Sequence, residues 1–305
     1  MTDAVQERAA QESRQRLIGI GLMCGAVLGF SCLDAMAKYL SATMDTLQVV
    51  GVRYACAFLI ALLFSNPITQ PGLTRTRRPV LQLIRSALML GSTVFNFMAF
   101  RYLQLDEALS ILFSTPFLVA ILSGPLLGEW VGWRRWTAIL VGFVGVLVIV
   151  RPGLGGMQWA ALYSLGSAFC YAGYNITTRM LSGVDSSATT LFYANLLGVV
   201  VMAPILPFVW TPPSAMEIVL MVAMGGFGAG GHFLLILAHR QAPASALAPF
   251  IYTQIIWATV LGYLVFANLP NRWTLAGAAI VVASGLYLIY RERKVTGTVA
   301  PIEPG

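Results

Sequence analysis

Five side chains that can carry charge fall inside otherwise apolar segments: Asp34, Lys38, Arg53, Arg85 and His232. In a membrane, a charge at the bilayer centre costs at least roughly 2.5–3.5 kcal/mol on insertion scales, so such groups are candidates for handling ions or cargo. Asp34 and Lys38 are four residues apart and share one helix face. Either Asp34 is a titratable carboxylate whose pKa Lys38 controls, or the two residues are a structural pair whose lysine extends to the surface. Arg53 is a further candidate partner for Asp34.

His232 follows a glycine-rich run, Gly225–Gly231. Histidine titrates near neutral pH, so this residue predicts either a proton relay or substrate ligand, or a hydrogen-bonded packing residue. The glycines favour close helix packing. Arg85 lies within a turn or two of the end of its apolar segment, where we expect its side chain to extend towards the membrane surface.

The composition requires lipid around these residues. Of 305 residues, 58% are hydrophobic and 10% charged, whereas a soluble domain has about 25% charged residues. Ten apolar runs have the length of roughly 20 residues that a spanning helix needs, and they do not alternate as barrel strands do. We predict an all-α integral membrane protein with helices near 17–40, 46–64, 80–100, 107–127, 135–150, 158–180, 188–210, 215–238, 245–267 and 273–290.

The basic residues orient these spans. Placing the N-terminus in the cytoplasm puts most arginines on the inner side, which the positive-inside rule favours. Both termini are then cytoplasmic, as short tails at residues 1–16 and 291–305. The apolar stretch from Leu17 is too long for a signal-peptide core, so we expect the first helix to be retained.

Two segments indicate an internal repeat. Residues 34–41 (DAMAKYLS) and 175–182 (NITTRMLS) both place a cation four residues after a carboxylate or amide, followed by Leu-Ser. The fifth and tenth spans both begin with Trp-Thr, at Trp136 and Trp273. The predicted halves are residues 17–150 and 158–290. Each has five helices, so the second half must enter the membrane from the opposite face, as an inverted repeat around a central cavity.

The same symmetry predicts two gates and a chamber. Asp34, Lys38 and Asn96 fall in the outer halves of their spans, and Asn175 and His232 in the inner halves, so one cluster maps onto the other. Asp34 and His232 are the candidate coupling groups. The predicted chamber between the gates is lined by Tyr171, Tyr174, Tyr252, Gln254, Trp257, Ser114 and Thr115. Pro116 removes a helical hydrogen bond in mid-span, so it is either a hinge or a static kink.

The stretch Phe97–Gly153 carries a family resemblance. It has an alanine-containing entry, Thr115-Pro116 in mid-span, Leu127-Gly128-Glu129 at the exit and then a glycine-containing span. In these features the chain resembles the EamA-type transporters of the drug/metabolite transporter superfamily. The resemblance implies ten helices in two inverted repeats and export of small metabolites across a bacterial inner membrane, in some members coupled to protons. Bacterial amino-acid exporters are the nearest in appearance.

Other classes of function lack their motifs. The sequence has no Walker A motif, no Gly-x-Ser-x-Gly and no His-Glu-x-x-His, so neither ATP hydrolysis nor an enzyme is expected. The four cysteines all fall in spans without metal-ligand spacing, and no metal or other cofactor is expected. The expected partners are a small-molecule substrate and the lipid bilayer, with no nucleic acid and no obligate protein partner. Neutral or zwitterionic amino acids are the favoured cargo, with lipophilic cations as the alternative and a channel as a separate, less favoured class.

Overall fold

The computed structural model describes residues 2–64, 66–128, 132–151, 159–181, 184–242, 247 and 250–296. Every regular element in these ranges is a helix. In chain order they are α1 (Thr2–Thr43), α2 (Thr46–Phe64), α3 (Pro79–Tyr102), α4 (Leu105–Leu112), α5 (Thr115–Leu127), α6 (Trp133–Val150), α7 (Ala161–Leu181), α8 (Ser187–Met202), α9 (Leu206–Val209), α10 (Ala215–Gln241), α11 (Thr253–Phe266) and α12 (Arg272–Thr296). Several predicted features lie partly outside the described residues: Glu129, residues 152 and 153 of the family-like stretch, residue 158 of the sixth span, residue 182 of the repeated motif, residues 245, 246, 248 and 249 of the ninth span, and residues 297–305 of the C-terminal tail.

These helices form the ten predicted membrane crossings. Five described segments are long and apolar enough to span a bilayer by length and composition: 14–43, 46–63, 79–102, 105–127 and 215–238. Shorter apolar helices occupy 136–150, 188–202 and 253–266. The seventh crossing is shorter than predicted, because the helix stops at Met202 and the short α9 follows.

The fourth crossing, predicted as one helix over 107–127, has an interruption at Phe113 and Ser114. α4 ends at Leu112, and Pro116 lies in the first turn of a separate helix, α5. A proline has no N–H to donate, which is tolerated in the first turn, where no acceptor is required. The Thr115 hydroxyl donates to the carbonyl oxygen of Leu112 at 2.6 Å. The backbone of Phe113 and Ser114 stays in the right-handed helical region, so Pro116 lies at an interruption of the hydrogen bonding within one crossing, where a hinge or a static kink was predicted.

The second half repeats this break without a proline. α11 begins after Tyr252, and the Thr253 hydroxyl donates to the carbonyl oxygen of Phe250 at 2.6 Å. Both helices that follow a break end in a left-handed residue, Gly128 (φ 73°) and Ala267 (φ 53°). Ala267 therefore repeats the backbone geometry of Gly128, although a left-handed alanine costs roughly 1–2 kcal/mol relative to glycine.

Counterpart helices of the two halves run antiparallel. In the second and seventh crossings, Tyr54 packs on Gly198 and Phe58 on Phe192, so residue numbers rise in one helix as they fall in the other. In the fifth and tenth crossings, the Ser284 hydroxyl donates to the carbonyl oxygen of Ala138. A helix antiparallel to its own repeat counterpart is the geometry of an inverted repeat.

The helices pack in groups that mix the two halves. α1 packs along α10, and α2 and α11 join this pair; we call these helices the α1 group. α3 packs along α7, and α4, α5 and α8 join them as the α7 group. α6 and α12 pack on each other. Each of the two larger groups therefore contains two crossings from each half, and the space between them is the place for a central cavity.

Loop contacts tie each group together at one membrane face. Asp185, before α8, accepts hydrogen bonds from the Thr76 hydroxyl and from Nε2 of Gln82, the latter at 2.8 Å. At the other face, the side chain of Gln48 donates to and accepts from the backbone of Thr211, both at 2.8 Å. The long loop of each half is thus fixed to the short loop of the other half.

Candidate functional site

Asp34 lies in the interior between the helix groups and is only 7% exposed. Its Oδ2 accepts a hydrogen bond from Nε2 of Gln254 at 3.0 Å. The charge of Arg53 on α2 acts on it from nearby. The predicted gate residue Asp34 and the predicted chamber residue Gln254 are therefore brought together. Arg53, and not Lys38, is the cation whose charge acts on the carboxylate.

Lys38 points away from Asp34 and onto α3. Its ammonium donates to the carbonyl oxygens of Phe100, at 2.9 Å, and Leu103, which close the last turn of that helix. A cation is favoured there because the C-terminal end of a helix carries partial negative charge. The ammonium also lies 5.5 Å from the centroid of the Phe266 ring. Lys38 thus joins the α1 group to the α7 group at the predicted outer side.

Two carboxylates beside Lys38 were missed by the sequence analysis. Asp106 and Glu107 are 4% and 9% exposed in the first turn of α4, and the charge of Lys38 acts on both. In the sequence they stand where the predicted span 107–127 begins, and a charge there needs no special role, because the first turn of a helix favours negative side chains. In the described residues, no group of three or more His, Cys, Asp and Glu side chains could hold a metal ion.

The exposure of one face of α7 changes along its length. Ser164 and Ala168 in its first half are fully buried, while Tyr171 in the middle keeps 37% of its surface exposed. Further along the same face, Asn175 is partly exposed and Arg179 is exposed. Tyr171 therefore lies at the boundary between the buried first half and the more exposed second half of this face.

An aromatic pair lies at this boundary. The rings of Tyr171 and Tyr174 stack with centroids 5.6 Å apart and planes 13° apart. Asn175 donates from Nδ2 to the carbonyl oxygen of Tyr171 at 2.7 Å. Stacked phenol rings offer a flat face that suits aromatic rings and cations.

His232 faces the interior from α10. Its ring meets Phe30 edge-on, with centroids 5.0 Å apart. The charges of Arg53 and of Arg85 both act on it, and its side chain is partly exposed. This places His232 beside the predicted chamber, with a ring contact that also suits a packing role.

Arg85 is not a surface-seeking side chain, contrary to prediction. It is 3% exposed and donates to the Thr178 hydroxyl at 2.8 Å, to the Tyr174 hydroxyl at 2.9 Å and to the carbonyl oxygen of Thr190 at 3.1 Å. Its guanidinium carbon lies 4.5 Å from the Tyr174 ring centroid. Arg85 therefore holds α3, α7 and α8 together inside the α7 group.

The other predicted chamber residues are largely packed between helices. The Tyr252 ring stacks obliquely on Phe113 at 5.2 Å, and its hydroxyl lies against Gly285. Trp257 packs against a small apolar cluster that α1 and α10 share. Tyr252 therefore lies where the two helix breaks meet, with its hydroxyl against α12.

Buried polar atoms without a protein partner mark the same region. Among the described residues, Oγ of Ser114, Oδ1 of Asn96, Oη of Tyr252 and Nε1 of Trp257 have none. Thr115, next to Ser114, is buried with its hydroxyl bonded to the α4 backbone. Each of these four atoms can bond to water or cargo.

Comparison with known proteins adds a family and several relatives. The sequence profile described as the EamA-like transporter family matches residues 17–151 and 158–291. The S-adenosylmethionine uptake transporter of Rickettsia felis is 28% identical over 279 residues, which cover 91% of this chain and 94% of that one. The riboflavin transporter of Vibrio cholerae is 28% identical over 283 residues (89% and 93%).

Two further similarities complete the comparison. A pseudopaline exporter of Pseudomonas aeruginosa is 28% identical over 276 residues, covering 88% of this chain and 95% of the exporter. A solved crystal structure superposes with a TM-score of 0.62 over 93% of this chain and 99% of its own. At 18% identity, that superposition shows a shared fold alone.

Proposed function

This chain belongs to the EamA-like transporter family, and we propose that it carries small amino-acid-like metabolites across the bacterial inner membrane by alternating access. Its relatives are membrane transporters of small molecules and not enzymes. The cytoplasmic position of both termini and the division into repeats at 17–150 and 158–290 are parts of the same proposal.

One difference between the two membrane faces carries this proposal. α1 packs on α3 at the predicted outer side, where Lys38 bonds to the end of α3. The repeat counterparts of these helices are α7 and α10, which have no comparable packing in their described parts. An inverted repeat that is closed at one face and open at the other supports a carrier with two mirror-related closed ends. The present conformation then faces inward.

The chamber chemistry supports zwitterionic cargo with a flat or apolar body. Asp34 can accept from an ammonium group, and the Tyr171–Tyr174 stack can receive a ring. Both S-adenosylmethionine, an amino acid with an adenine ring, and riboflavin, with a flat ring system, are substrates in the names of relatives. A buried carboxylate beside stacked rings also suits a lipophilic cation, which is the second candidate cargo.

Direction and coupling follow from the same mechanism. A carrier that alternates between two faces is reversible, so gradients set the net direction. The relatives include both uptake transporters and an exporter. We propose net export coupled to proton entry, with Asp34 and His232 as the groups that take up and release the proton.

Reconstituted vesicles test the proposal. Vesicles that contain the purified protein are preloaded with unlabelled tryptophan, S-adenosylmethionine, riboflavin or ethidium. Accumulation of the same compound in labelled form is then measured with and without an imposed proton gradient. Saturable counterflow of an amino acid, absent from protein-free vesicles, is expected. Flux that neither saturates nor shows counterflow would indicate a channel and contradict the proposal.

A further inference from the structure

Arg53 is the least satisfied cation of the intramembrane region. The ring centroids of its sequence neighbour Tyr54 and of Phe97 lie 5.0 and 5.8 Å from its guanidinium carbon. Its hydrogen bond to the Thr93 hydroxyl is long, at 3.5 Å, and its Nε has no partner. A guanidinium has five N–H donors, so most of its capacity for binding an oxyanion is unused.

Arg85 provides the contrast within the same protein. All three of its nitrogens donate at 2.8–3.1 Å, and it is 3% exposed. Arg53 is partly exposed, and its charge acts on Asp34 and on His232, both of which face the interior. Arg53 is therefore directed into the space between the helix groups with donors available, whereas Arg85 is a bonded structural link.

The nearby carboxylate of Asp34 is held apart from the Arg53 guanidinium. Asp34 accepts from the neutral amide of Gln254, so the carboxylate and the Arg53 guanidinium lie within electrostatic range while each bonds to an uncharged side chain. A separated cation and anion match the two charged groups of an α-amino acid. A carboxylate paired with an arginine in two parallel hydrogen bonds is among the strongest charged contacts in proteins.

We infer that Arg53 binds the carboxylate, and Asp34 the ammonium group, of a cargo with an α-amino-acid head. This inference rests on the proposed function and specifies its substrate class. Arg53 has unused donors for a carboxylate, which a purely cationic cargo lacks.

Ligand pairs that differ in one charged group test the inference. Tryptophan and tryptamine differ in the carboxylate, and tryptophan and indole-3-propionate differ in the ammonium group. Apparent affinities come from competition in the counterflow assay with the full chain. We expect the wild-type protein to prefer tryptophan over tryptamine by roughly ten- to hundredfold, the range of one charge-assisted hydrogen-bonded contact.

Variants assign this preference to Arg53. Arg53→Gln should weaken tryptophan by about the same factor while leaving tryptamine unchanged, and Arg53→Lys should recover part of the loss. Asp34→Asn should weaken tryptophan but not indole-3-propionate. Arg101→Gln is the matched control, because Arg101 is exposed at the end of α3 and away from the chamber.

The outcomes separate the inference from the proposed function. If Arg53→Gln weakens tryptophan and tryptamine equally, or if riboflavin alone is carried, Arg53 does not read a carboxylate although the protein is still a carrier. If no compound shows counterflow, the proposed function itself fails. If Arg53→Gln does not fold, Arg53→Lys provides the test: it should weaken tryptophan more than tryptamine, and an unchanged preference would contradict the inference.

Discussion

Replacing Lys38 by methionine should open the outer side of the protein. The ammonium is the donor that joins α1 to the last turn of α3, through the carbonyl oxygens of Phe100 and Leu103. Methionine keeps much of the length and apolar character of the side chain but donates nothing. The substitution also removes the positive charge that acts on Asp106 and Glu107.

The expected shift can be worked from the two bonds. A hydrogen bond to a charged group contributes roughly 1.5–3 kcal/mol, so two bonds at the lower end contribute about 3 kcal/mol to the closed outer gate. Since each 1.4 kcal/mol changes an equilibrium constant about tenfold, the outward-open population should rise on the order of a hundredfold. Lys38→Arg keeps a cationic donor and should shift the population far less.

Thiol labelling from the outer side measures this population. A single cysteine replaces Asn96, which is buried in the outer half of α3, in a protein whose four native cysteines are changed to alanine. A membrane-impermeant thiol reagent should label this cysteine much faster in Lys38→Met than in the wild type. Equal labelling rates, in a variant whose melting temperature shows that it is folded, would refute the role of Lys38 as an outer latch.

Three further predictions concern coupling, packing and pH. Asp34→Asn should abolish accumulation driven by a proton gradient but keep counterflow of a saturating substrate, whereas the loop variant Asp45→Asn should keep both. Gradient-driven accumulation by the Asp34→Asn protein would exclude Asp34 as the coupling group. Gly277→Leu should lower the melting temperature, with an overpacking cost of about 1–3 kcal/mol, because a Cβ there would lie 2.6 Å from a backbone oxygen of α6. Gly226→Ala is the control, since nothing lies within 4 Å of a Cβ at that position, and equal melting temperatures of the two variants would contradict the close helix crossing. Burial acts to raise the pKa of the Asp185 carboxyl, but hydrogen bonds lower it more, so this pKa lies below the usual 3.8 and the loop contact is lost only as pH falls through the lowered value. Asp185→Asn should therefore leave the shape of the pH profile of transport unchanged between about pH 5 and 8, and a changed profile would show that Asp185 titrates there.

The helices and their symmetry could be predicted because they follow from local pattern. Ten apolar runs of sufficient length give ten crossings, because in lipid the backbone N–H and C=O groups of such a run must hydrogen-bond within a helix. The odd number of helices per half then requires inversion. The fourth crossing shows the limit: Pro116 signalled an interruption, but the equivalent break at Tyr252 has no proline and no local signal.

The partners of the charged residues were not predictable in the same way. Spacing of four residues suggested that Lys38 pairs with Asp34, but the stronger attraction is the end of α3, more than 60 residues away in sequence. Arg85 was expected at the surface because of its depth alone, and its three bonds come from two helices of the other half. Depth and spacing describe one helix, whereas these partners depend on how helices from both halves are grouped.

Distances across the two membrane faces test the central claim most directly. Spin labels at Tyr39 and Tyr102 report the gap between α1 and α3, and labels at Met180 and Gln241 report the gap between α7 and α10; pulsed electron resonance then measures both pairs in vesicles with and without saturating substrate. If the protein works by alternating access, the first distance lengthens whenever the second shortens. Two distances that lengthen together, or that both stay fixed while substrate is carried, would contradict the account.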